Sequence, residues 1–127
     1  MRKTATAFQL LVRVTGIVQI CLGMAFWAGI ATSLVPVHAA VGLLLVLGLW
    51  ALAFMGFRSG AHRGLAALAM GWGLIVPALG VTQEGILTGQ LHVLIQVVHL
   101  AVGVAAIGLA ENLATQIKQP DHAGTPA

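Results

Sequence analysis

The sequence predicts an all-α protein whose four helices form a transmembrane up-and-down bundle built from two repeated helical hairpins. Of its 127 residues, 59% are hydrophobic and only 7% are charged, and the mean hydropathy is +1.00. Soluble domains typically carry about 25% charged residues. The composition therefore excludes an ordinary soluble domain and predicts an integral membrane protein.

Four apolar stretches are long enough to cross a bilayer. A helix needs about 20 apolar residues to cross a hydrocarbon core of about 30 Å. The predicted helices 1 to 4 cover residues 7–30, 35–57, 64–82 and 90–113. Residues 1–118 are thus expected to form one four-span domain, and residues 119–127, with two prolines and a glycine, a flexible cytoplasmic tail.

The positive charges predict the orientation of the bundle. All six Lys and Arg residues lie near the termini, early in helix 1 or in the central connection: Arg2, Lys3, Arg13, Arg58, Arg63 and Lys118. The positive-inside rule then places both termini and the central connection in the cytoplasm, and we expect a bacterial inner membrane. These charges suit anionic lipid headgroups and are too few for a nucleic-acid site.

Two sequence features recur at corresponding places in the helices. The phrase VHAAVG at 37–42 returns as VHLAVG at 98–103, which gives helices 2 and 4 a matched pair of histidines, His38 and His99. Helices 1 and 3 each carry two glycines seven residues apart: Gly16 and Gly23, and Gly73 and Gly80. The repetition predicts a duplicated hairpin whose halves are related by an axis along the membrane normal.

The two matched histidines are predicted to share one depth. His38 lies 20 residues before Arg58 and His99 lies 19 before Lys118, so helical rise places both about 30 Å above these anchors. Helices 2 and 4 are diagonal in a square bundle, with axes about 13 Å apart. That gap suits two imidazoles with a metal between them, and glycines on helices 1 and 3 would leave room for a flat ring.

In this pattern residues 7–113 resemble four-helix membrane b-type cytochromes, in which histidines from two helices ligate haem and small residues make room for the ring. The resemblance rests on the two matched histidines and the four glycines. Many such proteins hold two haems with four membrane histidines, whereas this chain offers one matched pair, so one haem b per chain is expected. The resemblance implies a role in electron transfer rather than an enzyme with its own substrate, because bis-histidine iron has no free coordination position. One haem near one face would also require a quinol or redox protein partner, a homodimer or a larger complex.

His92 is the rival ligand. It lies seven residues before His99, on nearly the same helix face. Helical rise puts it about 39 Å above Lys118, at or beyond the outer interface, where a role near haem propionates or an interfacial position is expected. His62 and His122 are expected in the solvated central connection and tail.

Arg13 and Glu111 are the charged residues within the predicted spans. Both lie toward the cytoplasmic ends of their helices, so we expect a structural ion pair that joins helices 1 and 4. Gln9 and Gln19 of helix 1 are expected to add hydrogen bonds between helices.

Two other functions fit the same sequence. A non-haem accessory or assembly subunit of a membrane complex would use the glycines for close helix packing and the histidines as interfacial groups. A small transporter is the second alternative, because Arg13-x-x-Gly16 is similar to the opening pattern of DoxX-type four-helix membrane proteins. A transporter needs a polar route across the membrane, and the spans offer few polar groups.

Overall fold

A computed structural model describes residues 1–60 and 63–119 as a bundle of four helices with no strand among them. The helices are α1 (Arg2–Trp27), α2 (Val35–Ser59), α3 (Arg63–Thr82) and α4 (His92–Lys118), and short 3₁₀ turns lie in the α1–α2 and α3–α4 connections at Thr32–Leu34, Gln83–Gly85 and Gly89–Leu91. The predicted all-α class with four helices is thereby confirmed. His62, His122 and the predicted tail beyond Gln119 lie outside the described residues.

The first and last helices, α1 and α4, differ from their predicted bounds. α1 begins at Arg2 rather than residue 7, and α4 continues to Lys118 rather than ending at residue 113. The prediction followed the apolar stretches, whereas the helices extend through polar residues at the end of the bundle where α1 begins and α4 ends. α1 stops at Trp27, shortly before Gly29, whose φ of +74° is left-handed.

Helices that follow one another in the chain run antiparallel. Gly23 of α1 lies against His38 of α2, whereas Val12, eleven residues earlier in α1, lies against Gly48, ten residues later in α2. α2 against α3, α3 against α4, and α4 against α1 show the same reversal of residue order. The start of α1, the end of α2, the start of α3 and the end of α4 therefore share one end of the bundle.

The bundle is compressed along one diagonal. Cα atoms of α2 and α4 approach within 8 Å of each other, whereas the described residues of α1 and α3 have no such approach. A Cβ atom added at Gly56 of α2 would lie 3.2 Å from Cδ2 of Leu113 in α4 and 3.4 Å from Cβ of Ala66. The square cross-section with about 13 Å between diagonal helices is therefore wrong, because small residues let α2 and α4 touch.

One half of the bundle is solid. Its buried core consists mainly of alanine and leucine: Ala5, Val12, Leu45, Leu49, Leu52, Ala53, Ala66, Ala69, Ala106, Ala110, Leu113, Ala114 and Ile117. These residues cluster toward the end where α1 begins and α4 ends, because alanines let the helices approach and leucines fill the remaining space. In the other half a cavity lies between the four helices.

The outer surface of the bundle is apolar on all four helices. Large hydrophobic side chains such as Leu10, Leu43, Leu74 and Leu94 are each more than half exposed, at 59%, 55%, 61% and 52%. Soluble monomers rarely expose contiguous apolar surface on this scale. All four helices are long and apolar enough to cross a membrane, so the chain has the character of an integral membrane protein.

The close approach of α2 and α4 can be tested by substituting glycines. We expect Gly56→Leu to destabilise the bundle by about 1–3 kcal/mol through overpacking against Leu113 and Ala66. Gly71→Leu is the matched control, because no described atom lies within 4 Å of a Cβ there. Unfolding in mixed detergent micelles measures both variants, and equal stability of the two would contradict the packing at Gly56.

Candidate functional site

A cavity of about 400 Å³ lies in the half of the bundle where α1 ends and α4 begins. All four helices and the α3–α4 connection border it, and its walls are mainly apolar. The amide, carboxylate and imidazole side chains around it belong to Gln19, His38, Gln83, Glu84, His92, Gln96 and His99. Ligand cavities typically measure about 300–1,000 Å³ and combine apolar walls with a few polar groups. This cavity has the size and lining of a ligand site.

His38 of α2 and His99 of α4 meet across the cavity. Both imidazoles are half-buried, and their ring centroids are 6.3 Å apart with 46° between the ring planes. For a metal held in line between two imidazoles, two bonds of about 2.0 Å and about 1.1 Å from each bonded nitrogen to its ring centre add to roughly 6.2 Å. The observed separation of the ring centroids is close to that length.

The two nitrogens of each imidazole differ in their surroundings. Nδ1 of His38 and Nδ1 of His99 are buried and have no hydrogen-bond partner among the described residues, whereas neither Nε2 atom is in this state. A buried polar atom without a partner costs about 1–3 kcal/mol and demands an explanation. The described chain thus leaves Nδ1 of each imidazole without a hydrogen bond.

Each imidazole lies against a glycine of the preceding helix. Cε1 of His38 lies 3.9 Å from the position of a Cβ at Gly23, and Cε1 of His99 lies 3.5 Å from that at Gly80. Phe26 adds an edge contact to His38, with 5.4 Å between the ring centroids. A larger side chain at either glycine would therefore occupy space next to the histidine ring.

The other two glycines close-pack against side chains. A Cβ at Gly16 would lie 2.6 Å from Cδ1 of Ile107, and one at Gly73 would lie 2.9 Å from Cδ1 of Trp50. Gly16 still borders the deep end of the cavity, but Gly73 is not part of its lining. The expectation that all four glycines face one ring is corrected at Gly73, because the Trp50 indole fills the space there.

His92 borders the same cavity at a different level. It is the first residue of α4, and helical rise places it about 10 Å beyond His99, toward the α3–α4 connection. Within residues 1–60 and 63–119, no three His, Cys, Asp or Glu side chains are gathered closely enough to hold a metal ion. His92 therefore does not join His38 and His99 in one set of ligands.

Gln19 is a site residue that the sequence analysis did not recognise. Its side chain borders the cavity, Nε2 lies 2.6 Å from the position of a Cβ at Gly42, and Oε1 is buried without a partner in the described chain. The repeated phrase contains an indication of this contact, because Gly42 lies one helical turn after His38 and leaves space for a side chain of α1.

Arg13 and Glu111 form an ion pair in the solid half of the bundle. Arg13 donates from Nε to Oε1 of Glu111 at 2.5 Å and from Nη2 to Oε2 at 2.8 Å. Gln9 donates to the same carboxylate, and Lys118 donates to Oε1 of Gln9. These residues, the polar cluster, join α1 to α4 and do not border the cavity.

Comparisons with known proteins give no family for this chain. No protein-family model matches it, and no curated protein or solved structure matches it either. The resemblances to four-helix b-type cytochromes and to DoxX-type proteins therefore stay predictions. A function can be proposed only from the site itself.

The ion pair of the polar cluster predicts a specific order of stabilities. We expect Arg13→Gln to lower the thermal unfolding temperature more than the double substitution Arg13→Gln with Glu111→Gln does. The single variant leaves the Glu111 carboxylate without its guanidinium partner, with Gln9 still donating to it, whereas the double variant leaves two neutral amides. Thermal unfolding in detergent gives the order, and additive losses would contradict direct coupling.

Proposed function

We propose that the chain is a membrane b-type cytochrome that binds one haem b between α2 and α4 and serves in electron transfer. The observation that carries the proposal is the 6.3 Å separation of the His38 and His99 ring centroids, which fits one metal atom with two axial imidazoles. Bound haem would supply an iron that alternates between the ferric and ferrous states. With histidine on both sides, the iron would have no free position for oxygen activation.

The residues around the histidines fit a flat, largely apolar cofactor. Nε2 of each histidine would bind the iron, and Gly23 and Gly80 would leave space for the edges of the ring beside each imidazole. The gap between α1 and α3, whose described Cα atoms stay more than 8 Å apart, lies across the line that joins the two histidines. Apolar walls would exclude water, which favours a cofactor with limited solvent access.

The repetition of the hairpin supports this proposal. His38 against Gly23 and His99 against Gly80 are the same contact made once by each hairpin. Two matched hairpins would supply one axial ligand each to a cofactor on the axis between them. Each hairpin would then hold the cofactor through one histidine, which would account for the repetition in the sequence.

The proposal also gives the chain an orientation in a bacterial inner membrane. Arg2, Lys3, Arg58, Arg63 and Lys118 share one end of the bundle, which the positive-inside rule assigns to the cytoplasm. The cavity would then lie toward the opposite face. Because one haem near one face does not span the bilayer, a quinol or redox protein partner, or a further cofactor in a homodimer or larger complex, would complete the electron path.

Haem binding is tested by the absorption spectrum of detergent-purified protein loaded with haem. We expect one haem per chain, with a sharp Soret band and, after dithionite, split α and β bands of a low-spin ferrous haem. His38→Ala and His99→Ala should each abolish the low-spin spectrum, because each removes one axial ligand. His92→Ala is the matched control, since it removes an imidazole from the same cavity but leaves both proposed ligands.

Two outcomes of this experiment would contradict the proposal. A wild-type protein that stays colourless would leave the accessory subunit or the transporter as the function. A spectrum that is lost with His92→Ala but kept with His38→Ala would move the site to the outer end of the cavity.

The proposed position of the ring predicts the effect of a bulky residue beside His99. We expect Gly80→Leu to prevent haem binding, because Cε1 of His99 is only 3.5 Å from a Cβ at that position. Gly71→Leu adds the same side chain to α3 where a Cβ meets no described atom within 4 Å, so it should bind haem like the wild type. Haem titration measures both, and normal binding by Gly80→Leu would contradict the proposed position.

A further inference from the structure

We propose that Gln19 is a positioning residue for His38, and this inference rests on the proposed haem site. Its side-chain Oε1 would accept a hydrogen bond from Nδ1–H of His38, with or without haem, and would so leave Nε2 of that histidine free to bind iron. The bond would set the tautomer and the orientation of one axial ligand. Gln19 would not touch the iron itself.

Gln19 and His38 occupy two successive levels of the interface between α1 and α2. At one level the Gln19 carboxamide lies over Gly42, with Nε2 2.6 Å and Cδ 3.7 Å from the position of a Cβ there. At the next level, one turn along both helices, Gly23 lies against Cε1 of His38. Gly42 therefore creates the space that holds the carboxamide next to the level of the imidazole.

The unpartnered atoms on these two levels are chemically complementary. Oε1 of Gln19 and Nδ1 of His38 are both buried and have no hydrogen-bond partner among the described residues. A histidine that binds metal through Nε2 carries its proton on Nδ1 and requires an acceptor there. A carboxamide oxygen is such an acceptor. Rotation of the Gln19 side chain would satisfy both atoms with one bond.

The two hairpins differ at this point. Gln19 lies four residues before Gly23, whereas the residue four before Gly80 is Val76, which also borders the cavity but has no acceptor. Within the described chain, a Cβ at Gly103, the counterpart of Gly42 in the repeated phrase, would have no neighbour within 4 Å. The proposed hydrogen bond therefore serves His38 alone, which makes the two axial ligands unequal.

Substitutions at Gln19 test the inference through haem affinity and reduction potential. We expect Gln19→Leu to weaken haem binding about 10–100-fold, the usual effect of losing a partner that orients a metal ligand. The midpoint potential should rise, because His38 without an acceptor donates less charge to ferric iron. Gln19→Glu should restore the affinity and lower the potential below the wild-type value, because a carboxylate is a stronger acceptor.

Two glycines offer a matched pair of alanine variants. Gly42→Ala should reproduce the rise in potential of Gln19→Leu, because the new methyl group would displace the carboxamide. Gly108→Ala makes the same change in α4 outside the cavity lining, where a Cβ would have no described neighbour within 4 Å, and should leave the potential unchanged. Potentials that respond equally to the two alanines, or that ignore Gln19→Leu, would overturn the inference.

A measurement on the haem-free protein separates this inference from the proposed function. Nitrogen NMR of histidine-labelled protein reports which ring nitrogen of His38 carries the proton. We expect the Nδ1–H tautomer in the wild type and a shift toward the Nε2–H tautomer in Gln19→Leu. An unchanged tautomer would overturn the role of Gln19, whereas a wild type that never binds haem would overturn the proposed function instead.

Discussion

The close approach of α2 and α4 is the physical constraint on which the site depends. Gly56 and the surrounding alanines let these two helices touch in the solid half of the bundle. Parallel helices that touch in one half reach the other half still close together, so their histidines lie 6.3 Å apart. The same compression keeps α1 and α3 apart, and the cavity lies between them. A tight core and an open site thus follow from one packing arrangement.

The division into a solid half and a hollow half also separates stability from binding. The polar cluster of Gln9, Arg13, Glu111 and Lys118 joins α1 to α4 within the solid half, away from the cavity. Ligating side chains need to be held within about 0.5 Å of their working geometry by a rigid surrounding structure. In this bundle a packed core and a set of interhelical hydrogen bonds would supply that rigidity to the proposed ligands.

Much of the fold and part of the site follow from the sequence. Hydropathy predicts the four helices, and helical rise predicts that His38 lies level with His99 and that Arg13 can reach Glu111. These properties depend on spacing along one helix. Distances between helices depend instead on which side chains fill each contact. The compressed diagonal, the Trp50 indole over Gly73 and the place of Gln19 beside Gly42 therefore could not be predicted from spacing.

The proposed function requires two histidines of one chain to bind the same iron. Electron paramagnetic resonance of the ferric, haem-loaded wild type, with ¹⁵N only in histidine, would detect both ligands. We expect a low-spin signal with hyperfine coupling to two histidine nitrogens. A high-spin signal, or coupling to a single histidine nitrogen, would contradict it.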